Sequence, residues 1–203
     1  MSKSISPQAI EDPAAVRLLA SPVRQELVDT LAALGGSATI AALAEELGRP
    51  ADGLYHHMRL LAAAGLVHEV KGVASDERQY RLAGDGAPLR LLYRQGPSGN
   101  TEALKQFARA LLQIAASDFY AAIDRPGVAI NGPQREVWTS RIKGWLSDAD
   151  IAEVNRLIER LSAILSQTKA DDRHHLMSFA FTLAPLKPRP KRRNQSAKIA
   201  DGS

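Results

Sequence analysis

Cysteine is absent from all 203 residues. No disulfide can staple this chain, and thiolate ligation of soft metals is excluded. A reducing, cytoplasmic setting is therefore expected. No apolar run reaches the roughly 18 residues that a membrane-spanning helix needs. Residues 1–12 lack the apolar core segment of a secretory leader. Aromatic residues are scarce at 5%. A charge of one sign is also missing where it would be most telling. The net charge is +4, but six basic residues from Lys187 to Lys198 face only Asp201, so the tail carries +5 and the remainder −1. Residues 17–83 hold seven Lys or Arg against eight Asp or Glu. Any phosphate binding there must come from a few placed side chains, from the tail, or from pairing two copies.

What the sequence does contain is concentrated in residues 37–84. Ile40, Leu43, Ala44 and Leu47 recur at helical spacing and give one apolar face. Gly48 suits a left-handed helix stop, and Pro50 suits the first turn of a second helix. Leu54, Met58 and Leu61 continue the buried stripe, while Asp52, Tyr55, His56 and Arg59 point elsewhere. Gly65 ends that helix. Residues 66–71 and 79–82 are short extended runs around a polar tip, 72–78, which predicts a hairpin. Upstream, a helix is expected over about 14–34, broken at Ser21-Pro22 and closed by Gly35-Gly36. Helix, sharp turn, helix and hairpin is an arrangement that presents one helix to a DNA major groove.

At these residues the chain resembles the winged helix-turn-helix of the ArsR-like transcriptional repressors. The resemblance rests on Ser21-Pro22-Val23-Arg24 before an amphipathic helix, on AALAEELG (41–48) and on LYHHMRLLAAAGLV (54–67) with its wing. It covers about residues 13–84 and implies a dimer that releases its operator when an effector binds. Many such proteins sense metals through cysteine pairs, which this chain lacks. The five histidines do not replace them. His56 and His57 are helical neighbours that diverge by about a hundred degrees, His174 and His175 fall on opposite faces of an expected strand, and His68 stands alone. No metal and no cofactor is expected.

The fold class read from the sequence is α+β: an N-terminal winged helix-turn-helix, a small α-β-α-β C-terminal domain and a disordered basic tail. The expected divisions are a disordered 1–12, the winged helix at 13–84, a linker at 85–100, a dimerisation and effector domain at 101–184, and a disordered tail at 185–203. In the second half, Leu104, Phe107, Leu111, Ile114 and Ala115 mark a helix over 101–124, with Thr101 as its N-cap. Residues 136–146 and 175–184 alternate as strands. Between them, Ser147 and Asp150 form a capping-box pattern ahead of a helix whose stripe is Ile151, Val154, Leu157, Ile158, Leu161 and Leu165.

For DNA, the expected contacts are Arg49, Asp52, Tyr55, His56 and Arg59 on the recognition helix, where Arg and His donate to guanine N7 or O6. Ser37 and Thr39 are candidates for holding a phosphate at the preceding helix start, and Lys71 and Arg78 for flanking it from the wing. Inward packing is the alternative for Tyr55 and His57, a dipole role for Asp52, and a solvated hairpin for the wing. The basic tail either binds flanking phosphates or only solubilises. Phe107, Leu111, Phe119, Tyr120, Trp138, Trp145, Phe179 and Phe181 either line a pocket for a small apolar effector or form core and dimer interface.

The function expected is a sequence-specific DNA-binding transcriptional regulator, a homodimeric repressor whose partners are double-stranded DNA, a second copy and a small apolar effector. The alternative is a winged-helix module that binds protein rather than specific DNA, favoured by the weak charge of residues 17–83. An enzyme is not expected. Asp118, Tyr120, His174 and His175 have no spacing that links them into catalytic geometry, and no phosphate loop or nucleophile elbow is present.

Overall fold

A computed structural model describes residues 9–71, 78–84, 89–173 and 175–186. The expected wing tip, the start of the linker, and the greater part of both expected disordered ends lie outside the described residues.

The chain begins with strand β1 (Ala9–Ile10) and helix α1 (Pro13–Leu19), capped by the Asp12 carboxylate, which accepts from the Ala14 and Ala15 amides. The break at Ser21-Pro22 is real, because α2 (Pro22–Ala33) starts with proline, whose missing N–H costs nothing in a first turn. Strand β2 (Ser37–Thr39) follows, then α3 (Ile40–Leu47) and α4 (Ala51–Ala63). Thr39 Oγ1 caps α3 by accepting from the Ala42 amide at 3.1 Å. Gly48 ends α3 at φ 59°, a left-handed conformation in which an L side chain is strained. That single residue sets the sharp turn between α3 and α4. Pro50 stands at the N-cap of α4 rather than within its first turn.

The wing is β3 (Val67–Lys71) and β4 (Arg78–Leu82), antiparallel, with Val67 opposite Leu82 and Lys71 opposite Arg78. β4 also pairs with β2 on its other side, with Ala38 opposite Tyr80, so the wing is one edge of a three-stranded sheet. The core lies beneath these elements. Val16, Leu27, Leu31, Leu43, Met58 and Leu61 have no exposed surface, and Leu54, Val67 and Leu82 very little.

Two expectations for the ends of this unit are corrected. Residues 9–12 are ordered, because β1 pairs in parallel with β5 (Arg90–Leu91) and Ile10 is buried. The expected linker therefore contains a strand. It also contains a polar anchor: buried Asn100 accepts from the Arg94 amide and donates to the Glu11 and Leu92 carbonyls. Its side chain is used in these bonds, so it does not cap α5 (Thr101–Ile123). Thr101 is the first residue of that helix and not its cap. Ala103 and Ala110 are buried on α5, which packs against α1 and α2.

The second half departs from the expected α-β-α-β domain. α6 (Asp148–Leu165) forms with the expected Ser147–Asp150 capping box, but residues 136–146 and 175–184 are not strands. Among the described residues, no backbone hydrogen bond joins 138–146 or 176–186 to another segment. A strand needs a partner edge, and the described residues do not supply one to either segment. The fold is thus mixed helix and sheet at the N-terminal end, with helices and unpaired segments after it. No helix among the described residues is long and apolar enough to cross a membrane.

Candidate nucleic-acid interface

α4 carries two faces. Leu54, Met58 and Leu61 face the core, fixing the helix's rotation, and this turns Asp52, Tyr55, His56 and Arg59 to solvent. Tyr55 is exposed, so it does not pack inward. His57 lies between the two faces. Burial first, then the positive charges of Arg24, His56 and Arg49, hold its imidazole below the ordinary value, and its Nδ1 is buried without a partner. The His56 and His57 rings meet edge to face at 5.6 Å.

Beside α4 lies an open concavity of about 270 Å³ lined by Ile40, Ala41, Ala51, Tyr55, Arg78 and Tyr80. It lies between the start of α4 and the wing. Ser37 and Thr39 do not line it; they lie in β2, opposite Arg81 and Gln79 of β4. Neither hydroxyl is idle. Ser37 Oγ donates to Gln79 Oε1 at 3.3 Å, and Thr39 is the α3 cap.

Two of the expected cations are already paired. Arg49 donates to Glu26 on α2 at 2.8 Å, which ties the α3–α4 turn to the helix behind it. Arg78 donates to Glu69 across the wing at 2.8 Å. Both pairs are solvent-exposed and worth under about 1 kcal/mol, so phosphate can compete for either guanidinium. Among the described residues, no carboxylate pairs with Arg59 or Lys71, and both are exposed. Sequence reasoning found these cations but not their partners, because Glu26 and Glu69 are brought to them by tertiary packing and strand register.

The eight residues expected around an effector do not converge. Phe107 lines a small cavity of about 70 Å³ where α2, the 89–91 segment and α5 meet, with Leu19, Val28, Ala32 and Leu91. Leu111 and Phe119 are half-buried on α5, and Tyr120 is exposed beside Phe119. Trp138 is 71% exposed under the Arg135 guanidinium, and Trp145 is 99% exposed. The Phe179 and Phe181 rings lie 5.8 Å apart between centroids, and both side chains are about half exposed. These side chains do not enclose an effector pocket within one chain.

The cavity does have polar members that the sequence did not single out. Gln25 is 5% exposed and its Oε1 has no partner. Asp29, also on the cavity wall, is pushed up to about 6 by desolvation and by the charges of Asp118 and Glu26. Folded Asp29 holds its proton to about pH 6, and an unfolded chain only to about pH 4. The stability from this proton is present below pH 4 and is lost as the pH rises through 6. Asp29→Asn is therefore expected to gain melting temperature over the native chain as the pH is raised from 4 to 7. The gain is small, because Asp29 keeps over a third of its surface in solvent. A difference in melting temperature that does not change with pH contradicts this assignment.

Residues 19–70 match the family model of a helix-turn-helix domain. The match spans the end of α1 through most of β3, inside the stretch read in the sequence as a winged helix. Among solved structures, Bordetella bronchiseptica BpsR, whose DNA binding is regulated by 6-hydroxynicotinic acid, is similar at 14% identity and a TM-score of 0.30. The alignment covers 68% of this chain and 77% of that one. The organohalide-sensing transcriptional regulator RdhR, in its 2,4-dichlorophenol-bound form, is similar at 16% identity and a TM-score of 0.29, over 88% of this chain and 82% of that one. No curated protein matches the chain.

Proposed function

We propose that the chain is a DNA-binding transcriptional regulator that grips a duplex with α4 and the wing. The observation that carries this reading is the division of α4. Its buried stripe orients the helix within a helix-turn-helix, and Asp52, Tyr55, His56 and Arg59 are left on the open side. In this reading Arg59 and His56 read base edges, and Tyr55 and Arg49 meet the backbone near the helix start. Ser37 and Thr39 border a phosphate, and Lys71 and Arg78 flank the duplex from the wing. Asp52 complements the helix dipole and accepts from a cytosine amino group.

The regulator acts as a homodimer and as a repressor. Among the described residues, one copy offers few unpaired cations beside α4 and the wing, and a two-fold pair doubles them and sets two recognition helices at a fixed spacing. An effector would act at the cavity under α5, where movement of α5 against α2 reaches the helix-turn-helix. The cavity takes a small apolar molecule with one hydrogen-bond donor, which Gln25 Oε1 would accept. Simple phenols raising the melting temperature of the native chain, with the effect lost in Phe107→Trp, would support that site. No rise with any of them would remove it.

The test of DNA binding is titration of a labelled duplex carrying the region upstream of its own gene, at several salt concentrations. A regulator gives saturable binding that outlasts an excess of unrelated DNA and weakens linearly in log salt. The second reading, a protein-binding winged helix, is favoured by the Arg49–Glu26 and Arg78–Glu69 pairs and predicts no preference for any duplex.

A further inference from the structure

Among the described residues, most of the exposed large apolar side chains lie after residue 137. The Glu136 carboxylate accepts from the Ala129 amide and from Arg125, fixing the turn out of α5, and Val137 is buried. Beyond this anchor, Trp138, Ile142 and Trp145 stand 71%, 86% and 99% exposed. α6 has no buried residue, although Ile151, Val154, Leu157, Ile158, Leu161 and Leu165 run along it as a continuous stripe. In 176–186, Met177, Phe179, Phe181 and Leu183 alternate with Ser178, Ala180 and Thr182, a strand pattern with no strand beside it. Ser178 donates to Asp118 on α5, Lys169 reaches Glu46 on α3 at 3.7 Å, and His175 Nδ1 lies 3.8 Å from the Glu136 carboxylate, and these contacts tie the arm to the rest of its chain.

We propose that residues 138–186 are an exchanged dimerisation arm. Segments 138–146 and 176–186 of one copy join those of a second copy as strands of a shared sheet, and the apolar stripes of both α6 helices cover it. This rests on the homodimer reading above and states where that dimer is made. Three observations select a second copy as the occupant. The arm's large apolar side chains, at roughly 100 Å² each, come to on the order of 1,500 Å² per copy, well above the ~800 Å² per partner of a standard interface. Residues 138–186 hold six Lys or Arg and six Asp or Glu, so two copies do not repel, and no strongly charged partner is called for. The arm also carries both halves of the missing structure, two unpaired strand sequences and a helix to cover them. A two-fold axis therefore satisfies both copies at once.

The experiment is native mass spectrometry of the full chain together with hydrogen exchange followed by peptide. A dimer is expected at micromolar concentration, with the amides of 138–146 and 176–186 protected at least about a hundredfold, as paired strands are. Trp145→Asp combined with Phe181→Asp is expected to raise the dimer dissociation constant at least about a hundredfold, while α2 and α4 keep their protection. A dimer whose arm amides exchange freely, or one that the double variant leaves intact, overturns the arm and leaves the homodimer reading standing. A monomeric native chain overturns both. The exchange measurement needs no variant, so misfolding of the double variant does not rescue the proposal.

Discussion

Arg59→Ala is expected to weaken binding to the cognate duplex by roughly tenfold or more, the effect of losing one good guanidinium-to-guanine contact. The melting temperature should stay within error, because Arg59 is exposed and, among the described residues, no carboxylate pairs with it. His56→Ala should act in the same direction, since it lies three residues away, about one helical turn, on the same open face. Arg49→Ala is a different case, since it also removes the Glu26 ion pair and loosens the α3–α4 turn. Its loss of affinity should come with a slight loss of stability, under about 1 kcal/mol. Glu45→Ala, exposed on α3 and outside the expected contact set, serves as the control. Fluorescence anisotropy of a labelled duplex, read beside thermal melting, separates these outcomes. Unchanged affinity in both Arg59→Ala and His56→Ala would mean that α4 does not enter the groove.

Met58→Ala, one residue earlier, should have the opposite profile. Met58 has no exposed surface, packed between the other core side chains under α4. Truncating it leaves a cavity and should cost about 2–5 kcal/mol. Against a total stability of roughly 5–15 kcal/mol, that is enough to leave part of the chain unfolded at 37 °C. Chemical denaturation checks it, and a cost under about 1 kcal/mol would show that α4 is not seated as described. Adjacent residues thus divide the functions of the helix, one holding it in place and the next using the placement.

This division was legible in the sequence because helical periodicity is a local property. The Leu54, Met58 and Leu61 spacing, the Gly48 stop and the Ser147–Asp150 cap each depend on residues within a turn or two of one another. The same locality explains what was missed. β1 pairs with β5 across eighty residues, and Asn100 bonds to Glu11 over a similar span, so residues 9–12 read as loose end and 90–91 as linker. The pairs Arg49–Glu26 and Arg78–Glu69 come from packing and register that composition does not reveal. Segments 136–146 and 175–184 show the limit from the other side. Their alternation predicts strands, but a strand exists only beside another, and the described residues do not provide one. The aromatic cluster read there as a pocket is, within one chain, an open surface.

The account turns on α4 being a sequence reader despite the weak charge around it. Selection from a library of random duplexes with the full native chain tests this most directly. The expected winner is an inverted repeat with half-sites one helical turn apart, about 10 base pairs centre to centre, bound at least about a thousandfold more tightly than scrambled DNA. Enrichment of no sequence, with any residual binding equal for all duplexes and lost at moderate salt, would contradict it.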